Sequence, residues 1–195
     1  MKGLFAAVSA VALLAGAPAW AQTAATPRAL SSQDQTFLKE AGGGNLAEVQ
    51  LGRLAMQKAA TPAVQEFGRW MATDHSMAGR RLAAIARFLG RPEQPTLTPQ
   101  DIALKNRLQA LRGPQFDRQY IRAMVMDHRK DIQAFRREAQ DGQAQPLKAY
   151  AHNMLPVLDQ HLAEAEQLAG AGGVVMGAPA RPAATSGSSI GHYNR

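Results

Sequence analysis

Residues 61–92, TPAVQEFGRWMATDHSMAGRRLAAIARFLGRP, decide the fold. Thr61 is an N-cap residue, Pro62 occupies the first helical position where its missing N–H is not needed, and Gly90 followed by Pro92 ends the run. Between these signals, at about 100° per residue, Val64, Phe67, Met71, Ala78, Leu82, Ile85 and Leu89 share one stripe. His75 falls inside that stripe and Asp74 on its edge. A long helix with one apolar face has to bury that face against other helices.

Three further segments carry the same signature. The first spans about Gln33 to Ala60 behind the cap candidates Ser31 and Ser32; the third spans about Pro114 to Gln140 and stops near Gly142; the fourth spans about Pro146 to Ala169 and stops at Gly170. Between the second and third segments, residues 91–113 contain a short helix from about Pro99 to Leu111, capped by Thr98. This connection is long enough to cross the bundle, which would set the third long helix parallel to the second. The reading is all-α: a four-helix bundle over residues 32–170 with a short extra helix in that connection. Two places strain it. Gly42-Gly43-Gly44 costs a helix roughly 1 kcal/mol per glycine, so either the helix proper starts near Asn45 or the glycines admit a close neighbour. Pro156 removes a hydrogen bond inside the fourth helix and predicts a kink.

A shift of 83 residues lays the first pair of helices on the second, matching Phe37 with Tyr120, Leu38 with Ile121, Lys39 with Arg122, Val49 with Ile132 and Phe67 with Tyr150. A further slip of three near Pro156 matches His75 with His161. This weak repeat suits a bundle of two related hairpins.

The chemistry sits in a motif that occurs twice, Met71-Ala72-Thr73-Asp74-His75 and Met124-Val125-Met126-Asp127-His128. On the third helix Tyr120, Met124, His128 and Phe135 share a face, with Asp127 at its edge. On the first, Phe37, Ala41, Ala55 and Met56 share a face with Glu48; on the fourth, Ala151, Met154, Leu158, Leu162 and Ala165 define a face with His161 at its margin. Each helix therefore offers one ionisable group to the core. Glu48 lies 13 residues before Thr61 and His75 lies 14 after it, so at 1.5 Å per residue both stand about 20 Å from that turn. His128 and His161 are similarly level about the turn at residues 142–145.

Burying such groups costs several kcal/mol unless they pair, hydrogen-bond or bind a metal. Glu48, His75, His128 and His161 are accordingly candidate direct ligands for a divalent transition metal (zinc, iron, manganese or copper), with Asp74 and Asp127 free to orient imidazoles from behind or to bind directly. The alternative is a purely structural polar network in a non-enzymatic envelope stress or interaction protein. No nucleophile–base triad, phosphate-binding loop or paired catalytic carboxylate stands out, so no catalytic residue is assigned.

Residues 1–21 have Lys2, an apolar run from Gly3 to Ala17, Pro18 and Ala19-Trp20-Ala21, the pattern of a signal peptide cut after Ala21. The expected destination is the periplasm or the exterior, with residues 22–31 a linker and the Gly, Ala, Pro and Ser-rich residues 171–195 a disordered tail. No later run approaches the roughly 18 apolar residues of a membrane span. The chain has no cysteine, so any metal must be held by nitrogen and oxygen. Its net charge of +7 is scattered along helices, which disfavours nucleic acid and leaves an anionic envelope surface as a conceivable partner.

Taken together, the run Gly43-Gly44-Asn45-Leu46-Ala47-Glu48-Val49, the stretch from Phe67 to His75, the stretch from Phe116-Asp117-Arg118-Gln119-Tyr120 to His128, and Leu155-Pro156 leading to His161 resemble an exported bacterial ferritin-like family of unknown function. Its members are often labelled predicted outer-membrane proteins. The resemblance covers about Ser32 to Ala169 and implies a ferritin-like bundle without implying an activity. The Glu-x-x-His of di-iron ferritin-like proteins is missing, since Ala72, Val125 and Leu158 stand three residues before His75, His128 and His161. That counts against iron storage and oxygen activation.

Overall fold

A computed structural model describes residues 29–170 apart from residue 93. The signal peptide and the C-terminal tail read from the sequence lie outside the described residues, as does residue 22–28 of the linker. Five helices make up the described chain: α1 (Ser32–Lys58), α2 (Pro62–Phe88), α3 (Pro99–Gln109), α4 (Gly113–Asp141) and α5 (Gln145–Gly170). No strand occurs among the described residues, and no helix there is long and apolar enough to cross a membrane.

The helix starts follow their caps. Ser31 and Asp34 close a reciprocal capping box on α1, Thr98 and Asp101 do the same on α3, and the Thr61 hydroxyl accepts from Val64 N at the start of α2. Gly90, just past α2, takes φ +69°, a conformation costly for any residue with a Cβ.

Two core clusters set the topology. One joins the start of α1 (Phe37, Leu38), the ends of α2 and α4 (Leu82, Ala86, Ile132, Phe135) and the start of α5 (Leu147, Tyr150). The other joins the end of α1 (Leu51, Ala55), the starts of α2 and α4 (Phe67, Met71, Phe116, Tyr120) and Ala165 near the end of α5. Thus α2 and α4 run the same way, and the connection carrying α3 returns along the length of the bundle. It travels against α1: Lys105 donates to Gln50 at 2.7 Å, and Lys58 donates to the Gln109 carbonyl. This explains the glycine triplet. The helix continues through it, and a Cβ on Gly43 would stand 2.8 Å from the Thr96 carbonyl oxygen of the passing connection. A second glycine pair, Gly52 and Gly68, brings α1 and α2 into backbone contact, since a Cβ on Gly52 would lie 2.5 Å from the Gly68 carbonyl oxygen.

The sequence repeat is visible in how the hairpins lock together. Asp117 on α4 accepts from the backbone N–H groups of Ala60 (2.8 Å) and Thr61 (3.1 Å) in the α1–α2 turn. Asp34 on α1 accepts from those of Gln143 (2.9 Å) and Ala144 (3.1 Å) in the α4–α5 turn. All three pairs, Asp34 with Asp117, Ala60 with Gln143 and Thr61 with Ala144, are separated by the same 83 residues. Each hairpin caps the turn of the other.

Two facing assignments change. Met56 is exposed rather than inward, and His161 lies fully inside the bundle rather than at the margin. The α5 helix runs on through Pro156.

Candidate metal centre

His75 on α2, His128 on α4 and His161 on α5 meet in the interior, midway between the two apolar clusters along their helices. Their ring centroids stand 5.7, 5.4 and 5.4 Å apart, and one ring nitrogen of each lies within 4.8 Å of the other two. They are 4, 0 and 1 % exposed, so water cannot satisfy them freely.

Each imidazole has one engaged and one unengaged nitrogen. His75 Nδ1 donates to Asn45 Oδ1 (2.9 Å), His128 Nδ1 donates to the Met124 carbonyl one turn back (3.0 Å), and His161 Nε2 donates to Asp74 Oδ2 (3.1 Å). All three partners are oxygens that only accept, which assigns the N–H to the engaged nitrogen and a lone pair to the other. The remaining atoms, His75 Nε2, His128 Nε2 and His161 Nδ1, have no hydrogen-bond partner. Burial, with His161 and His128 alongside, holds His75 well below the usual imidazole value. Burial and His161 bring His128 down to about 3, although its bond to Met124 acts in the opposite direction. The lone pairs on these two rings are therefore not lost to protons near neutral pH.

The six residues singled out from the sequence separate into three roles. The three histidines come together. Asp74 stands behind His161 across the α2–α5 seam, the arrangement that orients a ligating imidazole. Glu48 is 3 % exposed with Oε2 unpartnered, but it lies outside the histidine cluster. Burial and then Asp127, Asp131 and Asp101 push its carboxyl well above the ordinary range. Asp127 makes no hydrogen bond to an imidazole; His128 uses its own helix backbone instead, and the Asp127 carboxyl is raised by burial and by Asp101.

Two polar residues of the interior, Asn45 and Tyr120, were not singled out from the sequence as candidate site residues. Asn45 is buried and spans two helices, accepting from His75 and donating from Nδ2 to the Tyr150 hydroxyl (3.1 Å). The signal available was its place one turn before Glu48 on the inward face. Tyr120 is wholly buried with its hydroxyl unpartnered, and burial followed by the Glu48 charge raises its pKa well above the phenol value.

A family model described as a domain of unknown function (DUF4142) matches residues 19–168, and the chain belongs to that family. No curated protein matches it. Among solved structures, a DUF305 fragment from Deinococcus radiodurans is similar with a TM-score of 0.64 and 15 % identity, over 72 % of this chain and 97 % of that one. The structure of CopM in its Ag-bound form is similar with a TM-score of 0.58 and 16 % identity, over 69 % and 93 %. At such identities the likeness is one of fold.

Proposed function

We propose, from the premise that the chain is a DUF4142 member, that it is a metal-binding protein of the cell envelope, holding one transition-metal cation on His75, His128 and His161. The observation that carries this reading is a cluster of three imidazoles with ring nitrogens within 4.8 Å of one another, each ring having one nitrogen unpartnered and the other held by an oxygen. Three buried aromatic nitrogens left without donors would be an expensive way to stabilise a core. The same set gives a cation three ligands already fixed in tautomer and orientation.

The donor set narrows the metal. Three neutral imidazoles with no carboxylate or thiolate among them suit zinc or copper better than manganese, which prefers oxygen. The silver-bound form of the CopM neighbour supports the copper side, because silver is a soft cation of the monovalent copper class. We read the bundle as a ferritin-like variant with its single long crossover, lacking the carboxylate-rich di-iron set. The signal-peptide pattern read in residues 1–21 supports export to the periplasm or the exterior. The enclosed position of the site favours binding of the cation over turnover of a substrate.

The test is titration of metal-free protein, without an affinity tag, with zinc and with copper, read by thermal melts and by competition with a chromophoric chelator. Ligation of the folded state alone should raise Tm. His75→Ala and His128→Ala should each abolish that rise. If the wild type shows no metal-dependent stabilisation, or the variants bind as well as it does, the cluster is a structural network and the protein an interaction module.

A further inference from the structure

We propose that the cleft between α1, α2 and the connection that follows α2 is a binding site for a small amphipathic anion, an aliphatic chain carrying one carboxylate. The α1–α2 seam has two parts. At Gly52 and Gly68 the two backbones touch. Toward the other end of the hairpin, Gly42, 19 residues before Thr61, stands about level with Gly79, 18 residues after it. There a cavity of about 370 Å³ opens, a volume within the range of about 300–1,000 Å³ typical of small-molecule sites. Leu38 from α1, Leu82 and Ala86 from α2 and Pro95 from the connection supply its apolar walls.

Packing does not require the two glycines at this level. Gly43 is needed for the Thr96 carbonyl, and Gly52 and Gly68 for each other. A Cβ on Gly42 would instead meet only side-chain carbons of Pro95, at 3.8 and 3.9 Å, and one on Gly79 only Asn45 Cβ, at 3.6 Å, which are ordinary contacts. Each glycine still weakens its helix relative to alanine. What the pair provides is empty volume, since both line the cavity. The connection thus closes on α1 at Gly43 and leaves open space beside it. Lys39 is the charged residue in the lining; it is exposed and makes no hydrogen bond or ion pair among the described residues. Gln94 and Thr96 add an amide and a hydroxyl that can donate to a carboxylate. An apolar slot with a single free ammonium at its edge complements an apolar chain with a singly charged anionic head, whereas a cationic head would be repelled.

The experiment is calorimetric titration of the metal-free full chain with hexanoate, octanoate and decanoate below their micelle concentrations. A single molecule should bind, and each added methylene should tighten binding up to about fourfold until the cavity is full. Gly42→Ala and Ala83→Leu, which place carbon in the cavity, should weaken octanoate binding at least about fivefold while the Tm of the free protein holds or rises. Gly44→Ala, on the same helix but facing Asp131 of α4, should bind as wild type does. Lys39→Gln should weaken octanoate about two- to fivefold and leave the affinity for octanol unchanged. Absence of saturable binding would overturn the site, as would wild-type affinity in both cavity-filling variants, which would put the ligand elsewhere. A fall in Tm for Gly42→Ala would show that packing does require the glycine and would remove the reason for the cleft. Equal affinity for octanoate and octanol, insensitive to Lys39→Gln, would overturn the carboxylate assignment.

Discussion

Replacing Asn45 by alanine tests the centre through a residue that cannot itself be mistaken for a ligand. The substitution deletes two buried hydrogen bonds, the 2.9 Å bond from His75 Nδ1 and the 3.1 Å bond to the Tyr150 hydroxyl. Each orphaned partner costs about 1–3 kcal/mol, so the metal-free protein should lose roughly 2–6 kcal/mol, offset by about 0.5 kcal/mol from the better helix propensity of alanine. The effect on metal should be separate. Without its acceptor, His75 is no longer held with the lone pair on Nε2, and loss of such a partner weakens metal binding about 10- to 100-fold. Asn45→Asp separates the two effects. It keeps an acceptor for His75 Nδ1 but buries a charge, so metal affinity should survive while metal-free stability falls. Denaturant midpoints without metal and chelator-competition titrations read the two quantities independently. If Asn45→Ala binds metal within about twofold of wild type, His75 is not oriented for ligation and the reasoning from tautomer to ligand fails.

Two further predictions concern the scaffold. Burial, followed by its interaction with Asp34, pushes the Glu138 carboxyl from 4.5 up to about 7, beneath the α4–α5 turn that Asp34 holds. Because the folded-state value lies above the unfolded one, the folded state keeps an extra proton between those values, and stability falls as pH rises through about 7. Glu138→Gln should therefore gain about 1–3 kcal/mol over wild type at high pH and nothing below the carboxylate range, measured by urea denaturation at both ends; an equal difference at both would refute the shared proton. Gly68→Ala should destabilise by about 1–3 kcal/mol despite better helix propensity, because its Cβ would meet Ala55 Cβ at 2.6 Å and the Gly52 carbonyl oxygen at 2.8 Å. Gly44→Ala, whose nearest neighbour would be 3.9 Å away, should instead be neutral or stabilising by up to about 1 kcal/mol, and thermal melts that rank the two the other way would contradict the close helix approach.

Local chemistry made much of this molecule readable from the chain alone. Ser31, Thr61, Thr98 and the glycines at 90, 142 and 170 mark helix ends because capping involves residues within one turn of one another. The 3.6-residue period turned His75 and His128 inward, and rise per residue set His75 level with Glu48 and His128 level with His161. The repeat of 83 residues was faintly legible through apolar matches, although its strongest expression, the reciprocal capping by Asp34 and Asp117, was not. What remained hidden depended on which helix stands opposite which. Asp74 and Asp127 occupy equal places in the same motif, yet one meets His161 across a seam and the other hydrogen-bonds to no imidazole, His128 using the Met124 carbonyl instead. Met56 turned outward and His161 inward because an error of one residue in helix phase rotates a side chain by about 100°. Asn45 became the partner of His75 across 30 residues of chain, and Gly43 the seat of the Thr96 carbonyl across the returning connection. Periodicity assigns a residue to a face, whereas a hydrogen bond needs two atoms about 3 Å apart. Only the packed helices supply that distance.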